Sequence, residues 1–202
     1  MIVKICGITN MEDALAAAEA GAAAIGFNFY DRSPRYIAPA AAAGIAAALP
    51  AAVWRVGVFV NESPDAIARI RRSVGLDVVQ LHGDETPAEV PVGVRVWKAL
   101  RVGQDFNPDI MENFDVEAFL LDSALPGLYG GTGRPVPWAS VPHAGKRIIL
   151  AGGLDDGNVA EAVRTVRPWG VDACSRLETR PGRKDHARMK RFVKAAIAEL
   201  ES

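Results

Sequence analysis

The first thirty residues, MIVKICGITNMEDALAAAEAGAAAIGFNFY (1–30), decide the fold. VKIC (3–6) is a short apolar run broken by Lys4 and closed by Cys6 and a glycine-led turn. Thr9 followed by Glu12 reads as a capping box that opens a helix, and Gly21 closes it. AIGFNF (24–29) is the next strand. The same order of strand, helix and strand recurs along the chain. The further strand candidates are WRVGVFV (54–60), DVVQL (77–81), VRVWKAL (94–100), AFLLD (118–122), RIILA (147–151) and VDAC (171–174). Most are near-continuous apolar runs, as parallel strands covered on both faces require.

The helices between them carry their own punctuation. Ser63-Pro64 reads as an N-cap with proline at the first helical position. Asp155 and Asp156 precede a helix that ends before Pro168, and a last helix starts near Lys184 or Asp185. The alanine-rich stretch 38–52 is expected to be an outer helix lying close to the sheet. The connections 102–116 and 123–146 are poor in helix signal. Eight strands alternating with helices predict a (β/α)8 TIM barrel of class α/β, formed as one domain over residues 1–202. The rival is a doubly wound open sheet. Eight strands in 202 residues are many for it, and no G-x-G-x-x-G follows the first strand.

Composition excludes several function classes. Hydrophobic residues make up 50% and charged residues 23%, with a net charge of −1, as in an ordinary globular protein. No basic stripe with interleaved aromatics marks a nucleic-acid surface. No apolar run approaches the roughly 18 residues that span a bilayer. Two cysteines cannot form a disulfide framework, and the N-terminus lacks the ordered regions of a signal peptide, so a cytoplasmic protein is expected.

In a barrel the chemistry sits at the C-terminal ends of the strands. Polar residues fall there: Lys4 and Cys6 on the first strand, Gln80 and His82 on the fourth, Lys98 on the fifth, Asp122 on the sixth and Asp172 on the eighth. Lys4 and Cys6 are two apart and share a face. A buried ammonium needs a carboxylate, which Asp172 or Asp122 could supply. A nearby cation and a helix N-terminus beginning near Asn10 both favour the thiolate of Cys6, which suits a general base. The bland reading is a core cysteine; Lys4 and the turn favour function. Asp122 reads equally as a turn residue before Ser123 and Pro126, or as an acid whose pKa desolvation raises.

AGGLDDGNV (151–159) puts Gly152-Gly153 after the seventh strand, and SRLE (175–178) forms a capping-box pattern cut short by Pro181-Gly182. A one-turn helix is therefore expected after the eighth strand. Paired glycines and a short helix N-terminus in these two positions form the usual phosphate site of a barrel. GLYGGTGRP (127–135) is neither a Walker A loop nor a dinucleotide fingerprint, and reads as a lid or as a flexible connection. The three histidines lack metal-ligand spacing: His82 ends a strand, while His143 and His186 read as surface residues, and no metal is expected. Arg32 and Arg35 in DRSPRY could clamp a carboxylate or be solvated loop charges.

With these residues assembled, the chain resembles the phosphoribosylanthranilate isomerases of tryptophan biosynthesis. KICGIT, GFNFY with SPRYI, RVGVFVN, VVQLHGDE, LLD with YGGTG, LAGGL, RPWGVD and PGRKDH follow the family's order and spacing over essentially the whole chain. The resemblance implies a cofactor-free (β/α)8 barrel that performs an Amadori rearrangement on a small phosphorylated substrate. It implies Cys6 as general base and Asp122 as general acid. It further implies substrate contacts at Lys4, Arg35, Gln80, His82 and Asp172, with Arg35 on the anthranilate carboxylate. Phosphate contacts follow at Gly131, Gly152, Gly153, Ser175 and Arg176. Partners are expected to be that substrate alone, with no nucleic acid and no membrane, the protein being a monomer or homodimer. A phosphosugar-binding sensor, or an epimerase or aldolase on the same barrel, is the alternative; an aldolase would use Lys4 or Lys98 as a Schiff-base lysine.

Two departures matter. The family usually has Ser-Ser-Gly-Val-Glu after the eighth strand; here the chain reads Cys174-Ser175-Arg176-Leu177-Glu178. Arg176 replaces the glycine whose backbone lies against phosphate, and its side chain must turn outward, add a contact or crowd the site. Cys174 is expected near Cys6, because a closed barrel makes its first and eighth strands neighbours, so oxidation could couple the two thiols.

Overall fold

Eight parallel strands close on themselves in chain order: β1 (Ile2–Ile5), β2 (Ala24–Asn28), β3 (Trp54–Phe59), β4 (Val78–Leu81), β5 (Arg95–Val102), β6 (Ala118–Ser123), β7 (Ile148–Leu150) and β8 (Gly170–Ala173). The structure, a computed structural model, describes residues 1–103, 106–123, 141 and 145–199. Closure comes from β1 pairing with β8, with Lys4 opposite Asp172 and Ile5 opposite Ala173.

Among the described residues five α-helices flank the barrel: α1 (Met11–Glu19), α2 (Pro39–Ala48), α3 (Pro64–Val74), α4 (Val159–Val166) and α5 (His186–Ala198). Ser63 caps α3 through the Ala66 N–H, with Pro64 in the first turn, as its sequence predicts. Thr9 does not cap α1. Asn10 does, accepting from the Asp13 N–H, while the Thr9 hydroxyl donates to the Gly182 carbonyl. Gly21 ends that segment at φ +99°, a conformation that disfavours a side chain. Among the described residues, the segments after β4 and β5 form only 3-10 turns, Pro87–Glu89 and Pro108–Asn113. Pro87, Pro91 and Gly93 leave too little uninterrupted chain for an α-helix in the first of these.

The strands sort their side chains by parity. Ile5, Ile25, Phe27, Val79, Leu81, Phe119, Leu121, Leu150 and Val171 join the large outer core shared with the helices. Ala24, Val56, Val78, Trp97, Ala99, Leu120 and Ile149 fill the barrel interior. Three tryptophans, Trp54, Trp97 and Trp169, floor that interior with ring centroids 6.0–6.4 Å apart. The N-terminal end is thereby sealed by apolar surface. Polar side chains of the interior parity collect towards the C-terminal end.

Candidate active site

Lys4 is fully buried and donates to Asp172 Oδ1 at 2.8 Å, its register partner on β8. Burial works against the Lys4 charge, but the Asp172 carboxylate and the Cys6 sulfur outweigh it and hold the ammonium above its ordinary pKa. Burial, followed by the neighbouring Cys6 and Asp122 charges, pushes Asp172 up to about 6, although Lys4 pulls the other way.

Cys6 lies one residue beyond β1, buried at 8% exposure. Its thiol is drawn well below the ordinary range. A hydrogen bond with Cys174 is the largest cause; burial opposes it, and Lys4 and Lys184 add to it. Gly26 on β2 makes the room, because a Cβ there would sit 2.8 Å from the Cys6 sulfur and 3.1 Å from Lys4 Cε. Cys6 and Cys174 are thus neighbours across the closure, both as free thiols.

Behind this pair lies a part-buried ion cluster built from two distant segments. Arg35 Nε and Nη2 grip the Glu178 carboxylate at 2.8–3.1 Å, and Lys184 Nζ donates to Glu178 Oε1 at 2.9 Å and to the Cys174 carbonyl at 3.1 Å. Glu178 and Lys184 stand on a small hairpin, β9 (Glu178–Arg180) and β10 (Arg183–Lys184), that follows β8. Glu178 is therefore an ion-pair centre and not the second half of a capping box; Cys174 occupies the N-cap of the one-turn helix Ser175–Leu177. Sequence reasoning missed Glu178 and Lys184 as members of the site. The pairing of Glu178 with Arg35 spans 143 residues, and the only local signal was PGRKDH itself.

Opposite, Asp122 on β6 is 6% exposed. Its Oδ1 accepts from the Ser123 N–H at 2.8 Å, and its Oδ2 lies 3.5 Å from His82 Nε2. His82 Nδ1 is in turn 2.8 Å from Gln80 Nε2. If the amide donates, the imidazole carries its hydrogen on Nε2, aimed at Asp122. Gln80 Oε1 and His82 Nε2 are buried without a hydrogen-bond partner among the described residues. They are two polar atoms held ready at the mouth. Gly152 (φ +75°) and Gly153 (φ +65°) take left-handed conformations in succession. A Cβ on Gly152 would lie 2.8 Å from Asp122 Oδ1 and 2.7 Å from the Ser123 nitrogen. That glycine therefore protects the carboxylate as well as shaping the loop.

A hollow of about 30 Å³ brings Asp122, Gly152, Gly153, Asp172, Cys174, Ser175 and Arg176 together. Larger hollows, of about 990 and 570 Å³, lie along the rim of β4 and β5 and beyond β2 and β3, and neither is lined by Cys6 or Asp122. The Arg176 side chain is half-exposed, with Nε 3.8 Å from Asp155 Oδ2. Lys98 is the correction among the polar strand residues. Trp97 and Ala99 have the interior parity, so Lys98 points outward, where it pairs with Glu85 at 2.8 Å and holds the Gly83 carbonyl. Gly131, His143 and the loop 127–135 fall outside the described residues. His186 is not simply a surface residue; it contacts Asp13 Oδ1 at 2.8 Å.

The barrel mouth thus carries two groups able to exchange protons, the acidified thiol of Cys6 after β1 and the Asp122 carboxyl group on β6, with Gly152, Gly153 and Ser175 beside Asp122. The family model for N-(5'-phosphoribosyl)anthranilate isomerase matches residues 3–195. The N-(5'-phosphoribosyl)anthranilate isomerase of Solibacter usitatus is 50% identical over 200 residues, covering 99% of each chain. The crystal structure of phosphoribosyl anthranilate isomerase from Thermotoga maritima is 42% identical, with a TM-score of 0.85 over 98% of this chain and 100% of that one. A further crystal structure of such an isomerase, in complex with reduced 1-(o-carboxyphenylamino)-1-deoxyribulose 5-phosphate, is 40% identical with a TM-score of 0.81 over the same shares. The chain belongs to the N-(5'-phosphoribosyl)anthranilate isomerase family.

Proposed function

We propose that this enzyme isomerises N-(5'-phosphoribosyl)anthranilate to 1-(2-carboxyphenylamino)-1-deoxyribulose 5-phosphate by acid–base Amadori rearrangement, as a step of tryptophan synthesis. Asp122 gives a proton to the ribose ring oxygen, the ring opens, and an iminium forms. The iminium acidifies the proton on C2′. The Cys6 thiolate removes that proton, and the resulting enolamine tautomerises to the ketone. Asp172, between the two, keeps Lys4 paired and so keeps a positive charge beside Cys6.

The remaining residues position the substrate. Gln80 Oε1 and His82 Nε2 take its hydroxyl groups, and Gly152, Gly153, the Ser175 and Arg176 amides and Gly131 take the phosphate. Arg35 keeps two of its nitrogens on Glu178, and its remaining edge suits the anthranilate carboxylate. Schiff-base chemistry is disfavoured, since Lys4 and Lys98 are both committed to carboxylates. Among the described residues no helix is long and apolar enough to cross a membrane. The reading adds a cytoplasmic enzyme, a monomer or homodimer, whose partner is the small phosphorylated substrate.

The observation that carries this reading is the acidified thiol of Cys6 on the same barrel mouth as Asp122. Mixing with phosphoribosylanthranilate and following its fluorescence tests it. Wild type should consume the substrate, and Cys6→Ser and Asp122→Asn should each lose about 10²–10⁴-fold in kcat. Both variants should still bind the reduced product analogue. Full turnover by Cys6→Ser would overturn the assignment.

A further inference from the structure

We infer that Lys98 and Glu85 are positioning residues for this reaction: together they clamp the Gly83 backbone and so aim the imidazole of His82 into the barrel mouth. The inference rests on His82 contacting the substrate.

Lys98 and Glu85 are buried charges that the reaction above leaves unused. Their side chains are each 3% exposed, and Lys98 Nζ stands 2.8 Å from Glu85 Oε2. Replacing such a pair by well-packed apolar groups is often neutral for stability, because burial costs the charges much of what their attraction returns. What an apolar pair cannot do is grip a peptide unit. Lys98 Nζ also donates to the Gly83 carbonyl at 2.8 Å. The Gly83 N–H donates to Glu85 Oε1 and Oε2 at 3.0 and 2.9 Å. Both backbone polar groups of one residue are therefore held by one ion pair.

Strand parity explains how a pair on the outer face governs a ring on the inner one. Leu81 and Lys98 are register partners on β4 and β5, and Leu81 belongs to the outer core. Gly83, two residues on, shares that outer face. His82 stands between them with the parity of Val78 in the barrel interior, and faces Asp122. Upstream, His82 is tied to the sheet, its N–H donating to the Phe59 carbonyl at 2.8 Å. Downstream the chain leaves β4, and the clamp takes over from the ladder. The loop after β3 braces it. The Asn61 N–H donates to Glu85 Oε1 at 2.9 Å, and the Asp84 N–H donates to Asn61 Oδ1 at 2.7 Å. No side chain fits at residue 83, where a Cβ would lie 2.7 Å from both the Asn61 nitrogen and Glu85 Oε1.

The ring needs that support. Gln80 Nε2 lies 2.8 Å from His82 Nδ1, while Asp122 Oδ2 is 3.5 Å from His82 Nε2. The second contact is too long to fix the ring, and Nε2 has no hydrogen-bond partner among the described residues. A small rotation of the backbone at residue 82 would carry Nε2 away from Asp122 and from a substrate hydroxyl, and misplacement on that scale is costly to a reaction.

The test is a double-mutant cycle with His82. Lys98→Met combined with Glu85→Gln removes the grip without leaving a lone buried charge, and should lower kcat/KM about tenfold. In a His82→Ala background the same two changes should cost less than about twofold, because no ring is left to aim. Gly83→Ala keeps both charges but displaces the loop by contact. It should show the same dependence on His82, and it decides the matter if the first variant does not fold. The His82 ring-nitrogen chemical shifts in the free enzyme should move in both clamp variants, without any turnover. Equal losses in the two backgrounds would overturn the inference, since a pair that only stabilises the fold acts alike in both. Unmoved ring shifts would overturn it as well. His82→Ala separates the two ideas: if it turns over like wild type, His82 does not touch the substrate and that reading fails, while the ring shifts still report whether the clamp aims the imidazole.

Discussion

At the scale of single residues, Arg176 shows how a departure in sequence can leave a site intact. Its side chain is 46% exposed, with Nε 3.8 Å from Asp155 Oδ2, at the edge of the hollow shared with Gly152 and Gly153. Arg176→Gly should therefore change the Michaelis constant by less than about fivefold, the scale of a screened surface pair. A large fall on steady-state measurement would show that the side chain crowds the phosphate, and a large rise that it helps to bind it. Lys4, Cys6 and Asp172 were legible in the sequence because strand parity is a local rule, and a lysine two residues before a cysteine must share its face. Lys98 was misread from the same kind of signal. It interrupts an apolar run, but its neighbours Trp97 and Ala99 hold the interior parity. Glu178 and Lys184 could not be placed from local pattern, since their value lies in Arg35 and Cys174, brought together only when the barrel closes.

At the scale of elements, the closure region is held by Asp13 on α1. Its carboxylate is 2% exposed as a residue and receives the Lys184 N–H at 2.9 Å and the Asn10 amide at 2.7 Å, with His186 at 2.8 Å on the other oxygen. Burial alone would raise its pKa; the Lys184 N–H, Asn10 and His186 outweigh this and hold it below the usual 3.8. A carboxyl depressed by folding adds stability above its unfolded pKa, and that stability is lost as pH falls through the folded value. Asp13→Asn should thus lower the melting temperature at pH 7, with the gap to wild type narrowing below about pH 4. A gap that stayed constant down to pH 2 would contradict this. The cap of α3 was readable because Ser63-Pro64 is an unambiguous pair. Thr9 misled, because Asn10 one residue later is an equally good cap and Thr9 is engaged by Gly182. The missing α-helix after β4 has its cause in the prolines and glycine of that segment, which the strand-by-strand alternation hid.

At the scale of the whole molecule, the barrel is divided along its axis. Trp54, Trp97 and Trp169 seal one end, with the Arg95 and Arg147 guanidinium groups 4.5 Å and 5.2 Å from the Trp54 and Trp169 ring centroids. Lys4, Asp172, Cys6 and Asp122 occupy the other. Trp97 is fully buried, and Trp97→Ala should cost about 3–5 kcal/mol in denaturant unfolding. In the fraction that stays folded, the pH limb of activity should not move, since no titrating group of the site touches the floor. A displaced limb would mean that the two ends are coupled. The fold itself was legible because eight apolar runs at regular spacing leave few topologies open, and the resemblance over the whole chain left one.

The central claim is that folding makes the sulfur of residue 6 a thiolate near neutral pH, and thiolate absorbance near 240 nm reads that state directly. Titrated against pH, wild type should show one thiolate appearing well below the roughly 8.5 of a free cysteine. Cys6→Ser should abolish that step, and Cys174→Ser should keep it. If the low step survives in Cys6→Ser, or if wild type titrates only as an ordinary cysteine, residue 6 is not the base and the account fails.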